Sequence, residues 1–259
     1  MVESPLFVRP YLRDMTRSEI FITMSCGMAG VAGTVMVLYA SILRTAIPDA
    51  LGHILVVSII SVPAAIMISL IMIPETGELT SGRLMPPRIA TSSMDAVTQG
   101  TLDGINLLIN IISMLVVLVA LVYLANALLG IIPDIGGQAV TLQRLLGYIM
   151  APVVWLIGIP WSEALTAGSL MGTKTVLNEL IAYIDLAKLP PEALSAKSRL
   201  IMVYALCGFA NFGSLGIMIG GMGAMVPERR GLIVELGLRS IISGTLATLM
   251  TGAIVGIII

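Results

Sequence analysis

Three side chains that could carry a charge, a proton or a hydrogen-bonded ligand fall close together at Lys174, Asn178 and Glu179. They lie in the run Gly172-Thr173-Lys174-Thr175-Val176-Leu177-Asn178-Glu179-Leu180-Ile181-Ala182-Tyr183. The chain around them is apolar enough for a membrane interior. On a continuous helix Lys174 and Asn178 share a face one turn apart. Glu179 then lies about 140° round from Lys174, so the two charges need not pair directly. Ionisable groups at bilayer depth are costly, and they usually face a bundle interior or a wet cavity. Short apolar arms, residues 164–172 and 180–186, flank this polar tip. That pattern predicts a re-entrant hairpin over residues 160–186, since backbone of this kind is tolerated where it is buried in protein or lines a cavity. A charged loop between two spans is the plainer alternative. The chemistry expected of the hairpin tip is recognition of a polar solute or an ion.

Those residues need elements to position them, and composition says what kind. Across 259 residues the mean hydropathy is +1.02, with 57% hydrophobic and 11% charged residues, which excludes a soluble domain of ordinary surface composition. The net charge of −1 leaves no basic footprint for nucleic acid. Cys26 and Cys207 both sit in apolar runs and read as membrane-buried thiols rather than a disulfide pair. His53 is the sole histidine, so metal chemistry has little to work with. No nucleophile–base pair supports an enzyme, and Gly213-Ser214-Leu215-Gly216 lacks the G-x-S-x-G spacing of a hydrolase elbow.

The charge-free run 20–43 is long enough to cross a bilayer. Its small residues at Gly27, Gly30 and Gly33 permit close helix packing or a local break, and packing is the expectation. Residues 50–74 make a second span, with a kink expected at Pro63. Residues 75–103 read as a polar loop entering a helix, and 104–133 as a third span. Residues 145–159 are apolar but short, and predict an interfacial helix. Residues 200–227 read as an uncharged fourth span, yet the middle Cys207-Gly208-Phe209-Ala210-Asn211-Phe212-Gly213-Ser214 is a poor straight helix. A break there suits a transporter, because discontinuous helices near the midplane build substrate sites. In the last span, 231–259, Glu235 and Arg239 are spaced to neutralise one another. Arginine placement puts residues 1–17 and 228–230 on the cytoplasmic side and Ile259 outside.

Three runs together resemble the concentrative nucleoside transporters. The Gly172–Tyr183 run looks like that family's G-x-K-x3-N-E-F-V-A-Y signature, with Leu180 and Ile181 in place of Phe and Val. Residues 205–217, from Ala205 to Ile217, look like its broken seventh helix. Val226-Pro227-Glu228-Arg229-Arg230, with Glu235 to Arg239 following, looks like the entry to the eighth; Ala29 to Tyr39 adds to the match. The resemblance implies an all-α membrane protein, a multi-span helical bundle with a re-entrant hairpin and broken helices. It would form half of an inverted-repeat, elevator-type transporter, working against a trimerising scaffold.

For function, the resemblance implies a nucleoside symporter driven by Na+ or H+, multi-pass in the inner or plasma membrane, without an enzymatic cofactor and homotrimeric where the scaffold is present. It assigns the base to Glu3 and Val35, and the ribose hydroxyls to Glu179, Asn211 and Ser214, with Phe209 walling the sugar. Lys174 and Asn178 support the hairpin. In the family the first hairpin reads G-Q-T-E, whereas here Met1 and Val2 precede Glu3. Residues 1–17 therefore read as a remnant of that hairpin with a basic loop, and 18–259 as the C-terminal transmembrane domain of a truncated transporter. Gly30 and Val31 stand where sodium-coupled members place hydroxyls, which leaves proton coupling through Glu179 or Glu3 open. The competing expectation is a non-transporting membrane scaffold or binding fragment that keeps the fold.

Overall fold

The structure, a computed structural model, describes residues 3–44, 46–80, 90–135, 137 and 139–259, without the side chains of Glu3, Ser4 and Ile111. Among the described residues there are helices and no β-strand. A short α1 (Glu3–Phe7) leads into α2 (Arg17–Ala29), α3 (Gly33–Leu43), α4 (Ala50–Met72) and the long α5 (Ser93–Leu129). Next come α6 (Leu142–Leu156), α7 (Trp161–Val176) and α8 (Glu179–Lys188), then α9 (Ala196–Leu206), α10 (Phe212–Met225) and α11 (Arg230–Ile258). By length and composition four stretches can cross a membrane: Arg17–Leu43, Ala50–Met72, Ser93–Leu129 and Pro227–Ile258.

Several sequence expectations change at this level. The run 20–43 is two helices, α2 and α3, and the small residues serve a break as well as packing. Gly30 is extended (φ −84°, ψ 169°) and its N–H closes α2 onto the Cys26 carbonyl; Ala32 then opens α3. Glycine's poor helix propensity favours the chain leaving the helix there. Helix α5 starts eleven residues earlier than the apolar run, because Ser92 caps it through the Asp95 N–H at 3.1 Å. The Glu235–Arg239 pairing is also replaced. The Glu235 carboxylate instead receives both terminal nitrogens of Arg17, at 2.7 and 3.0 Å, a bidentate geometry that arginine's fork favours. That pair pins the start of α2 to α11.

The expected break in residues 200–227 is present, between α9 and α10 over residues 207–211. The two breaks lie against each other. A Cβ on Gly208 would sit 2.8 Å from the Ala29 carbonyl oxygen and 3.1 Å from that of Met28, so only glycine allows this approach. Helix α11 packs on α2, α4 and α9 and holds both broken helices from one side. Helices α6 and α7 pack along each other at minimal spacing. A Cβ on Gly168 would lie 2.5 Å from the Gly147 carbonyl oxygen. Small residues at such contacts are how helices associate where lipid removes the hydrophobic drive. Arg199, on α9, ties the next stretch down: its guanidinium donates to the carbonyls of Leu186, Leu189, Pro190 and Leu194 at 2.7–3.3 Å. The end of α8 is thereby fixed to the start of α9.

Candidate functional site

The α7–α8 turn makes its polar tip by interrupting a helix, not by presenting one face of it. Helix α7 ends at Val176, Leu177 leaves the helical region, and Asn178 is extended (φ −166°, ψ 169°) as the N-cap of α8. The Asn178 side-chain oxygen accepts the Ile181 N–H at 2.9 Å. The expectation that Lys174 and Asn178 share a helix face therefore fails, because an asparagine that caps a new helix ends the old one. The same device recurs at the other break. Asn211 is extended and caps α10, its side-chain oxygen accepting the Ser214 N–H at 2.7 Å.

Glu179 is the first residue of α8, where the unpaired N–H groups and the helix dipole favour a negative charge. It is 4% exposed. Each carboxylate oxygen has a donor: Tyr39 Oη to Oε1 at 2.6 Å, and Asn211 Nδ2 to Oε2 at 3.1 Å. Lys174, fully buried, goes elsewhere. Its Nζ donates to the Ala205 carbonyl at 2.8 Å and to Thr248 Oγ1 at 3.1 Å, and it forms no ion pair with Glu179. Lys174 thus fastens α7 to the last turn of α9 and to α11, and the two charges stay apart as their sequence spacing allowed.

These groups surround a cavity of about 380 Å³. Val35 and Tyr39 line it from α3, Asn178 and Glu179 from the α7–α8 turn, Phe209 and Asn211 from the α9–α10 break, and Ser214 from α10. Helix α5 supplies an apolar wall with Leu115, Leu118, Val119 and Val122. A mostly apolar concavity with a few convergent polar groups is the ordinary form of a small-molecule site. Of the residues singled out from sequence, Val35, Asn178, Glu179, Phe209, Asn211 and Ser214 share this cavity; Lys174 stands behind it. The side chain of Glu3, at the start of α1, lies outside the described residues. Sequence reasoning missed Tyr39 as a site residue, although it follows Val35 by four positions and so shares its helix face.

Known proteins resemble this chain over nearly all of its length. A family model described as "Na+ dependent nucleoside transporter C-terminus" matches residues 53–256. The uncharacterised transporter YutK of Bacillus subtilis is 38% identical over 99% of this chain and 63% of its own length. The nucleoside permease NupC of Helicobacter pylori is 37% identical over 99% of this chain and 62% of its own. The chain therefore spans a little under two thirds of these relatives. Among solved structures, a variant of CNTnw in an outward-facing state superposes with a TM-score of 0.88 at 37% identity, over 99% of this chain and 62% of that one. CNTnw in an inward-facing substrate-bound state gives 0.75 at 38% identity, over 98% and 61%. These relatives are transporters and permeases, not enzymes, and with the apolar helices they mark a multi-pass protein of the cell membrane. With the family model covering most of its length, the chain belongs to the concentrative nucleoside transporter family.

Proposed function

We propose that this chain forms the substrate-binding part of a cation-coupled nucleoside symporter. The observation that carries the reading is the convergence of Glu179, Asn211, Ser214, Val35 and Phe209 on one cavity, although they lie in or just after three separate interruptions of helical structure. In this reading Glu179, Asn211 and Ser214 hold the ribose hydroxyls, Phe209 packs on the sugar, and Val35, with Glu3, addresses the base. A carboxylate is suited to a vicinal diol because it accepts from two hydroxyls at once, and bonds to a charged acceptor are the strong ones. The Ser214 hydroxyl, with no side-chain hydrogen bond among the described residues, is available to the ligand.

The 160–186 segment acts as a re-entrant hairpin, and the bundle moves as an elevator against a trimeric scaffold. The coupling ion is Na+, as the family description names it, or H+ carried by Glu179 or Glu3. Gly30 and Val31 offer no side-chain oxygen at the α2–α3 break, so a sodium ion there would rely on backbone carbonyls. Uridine uptake into proteoliposomes, driven by a sodium or a proton gradient alone, separates the two.

Glu179→Gln tests the site. An amide in place of the carboxylate exchanges charge-assisted bonds, about 1.5–3 kcal/mol each, for neutral ones of about 0.5–1.5 kcal/mol. Uridine affinity should fall roughly tenfold, since each ~1.4 kcal/mol is a factor of ten. A 2′,3′-dideoxynucleoside, which lacks the hydroxyls, should lose much less. Equal losses for both ligands would assign the carboxylate to the ion or to the fold and remove the ribose reading.

A further inference from the structure

The nucleoside reading leaves one buried hydroxyl at the site without a role. We infer that Tyr39 is the residue that positions Glu179, fixing the direction from which the carboxylate meets a sugar diol; this rests on the nucleoside reading above. Its hydroxyl donates to Glu179 Oε1 at 2.6 Å, inside the range of about 2.5–2.7 Å for an O–H donating to an anionic oxygen. The tyrosine is 1% exposed and cannot easily swing aside. Its ring packs on Tyr183 with centroids 5.1 Å apart, and Tyr183, fully buried, donates its own hydroxyl to the Val203 carbonyl at 2.8 Å. Tyr39 is therefore held by its surroundings whether or not Glu179 is there to receive it.

That rigidity decides what a ligand meets. A carboxylate has about four lone-pair sites. Tyr39, from within α3, takes one on Oε1, Asn211, at the α9–α10 break, takes one on Oε2, and the Glu179 backbone N–H also bonds its own carboxylate, so the acceptor capacity left over is set in direction by donors from separate elements. That remaining, directed capacity is what the hydroxyl donors of a ribose would meet. A sugar lacking those hydroxyls leaves that capacity unmet in a place where Glu179 is almost fully removed from water, and an unmet buried acceptor is costly. Without Tyr39 the carboxylate loses one of its two side-chain tethers. It can then turn about its side-chain bonds, and the match to a diol is lost while the charge is kept.

Tyr39→Phe removes a single oxygen and keeps the ring against Tyr183. In purified protein, the dissociation constants of uridine and of 2′,3′-dideoxyuridine are measured for wild type, Tyr39→Phe and Tyr183→Phe. The ratio of the two constants does not depend on the fraction of protein that is active. The expected result for Tyr39→Phe is uridine binding weakened about tenfold with dideoxyuridine changed less than twofold, so that the preference for ribose collapses. Tyr183→Phe, which loses its bond to Val203 and not to the site, should lower thermal stability and leave the ratio near wild type. An unchanged ratio in Tyr39→Phe, or tighter uridine binding because the phenol had been competing with ribose, overturns the assignment. Wild-type protein that binds neither ligand would instead bring down the nucleoside reading itself, and this inference with it.

Discussion

Both asparagines that face the cavity commit their side-chain oxygens to capping a helix, Asn178 to Ile181 and Asn211 to Ser214. An asparagine at such a position does two jobs with one amide, since the N-cap uses only the oxygen and leaves the NH2 to work. In Asn211 that nitrogen reaches Glu179 at 3.1 Å, so the residue that starts α10 also aims the carboxylate at the start of α8. The sequence identified these residues by type. What it could not give was their pairing, because Glu179 and Asn211 are separated by thirty-two positions and meet only through the fold. Lys174 is the counter-example: near Glu179 in sequence, it bonds instead to Ala205 and Thr248. Lys174→Gln should accordingly change uridine affinity less than about threefold. The shorter side chain cannot reach both acceptors, and leaving a buried carbonyl unmet should lower stability by about 1–3 kcal/mol. Thermal unfolding and binding measured on one preparation separate the two. A tenfold affinity loss at unchanged stability would make Lys174 a group that faces the ligand.

At the scale of elements, interruption is what the chain has arranged most carefully. The break at 207–211 was legible because glycines and side chains that compete for backbone hydrogen bonds cluster there. The break at 30–32 was less so, because Gly27, Gly30 and Gly33 are equally consistent with a helix that packs closely, and Gly27 does lie within α2. Packing distance settles which role each plays, and sequence holds no distances. The α6–α7 contact gives a direct test of the packing role. Gly168→Ala places a Cβ 2.5 Å from the Gly147 carbonyl oxygen and 2.7 Å from the Ala151 nitrogen, both backbone atoms that cannot rotate away. Overpacking of this kind costs about 1–3 kcal/mol. Gly104→Ala, on α5 with nothing within 4 Å of the new methyl, should stabilise slightly, by about 0.5–1 kcal/mol, through helix propensity. Thermal midpoints in detergent should therefore move in opposite directions. A Gly168→Ala protein as stable as Gly104→Ala would mean the two helices are not held at that spacing.

The whole molecule is asymmetric in how it meets its surroundings. Helices α2, α9 and α11 bury much of their length, whereas α5 buries none of its most apolar stretch and exposes side chains such as Val116, Tyr123 and Leu124. One side of α5 closes the cavity through Leu115, Leu118 and Val122, so the helix separates the site from whatever lies beyond it. Hydropathy made the four long stretches legible and could not say which way the α7–α8 pair enters the membrane, since both helices are too short to cross. Topology can be read directly. If the pair enters and leaves by one face, and α6 lies along the interface, the connection before α6 and the one after α8 emerge on the same side. Single cysteines at Asp134 and Glu192, both exposed, placed in a Cys26→Ala, Cys207→Ala background, should then react with a membrane-impermeant maleimide from the same side of sealed vesicles. Labelling from opposite sides would make the segment a simple crossing. Glu179 would then mark a point along a span instead of the tip of a hairpin, and the polar convergence around it would need another cause.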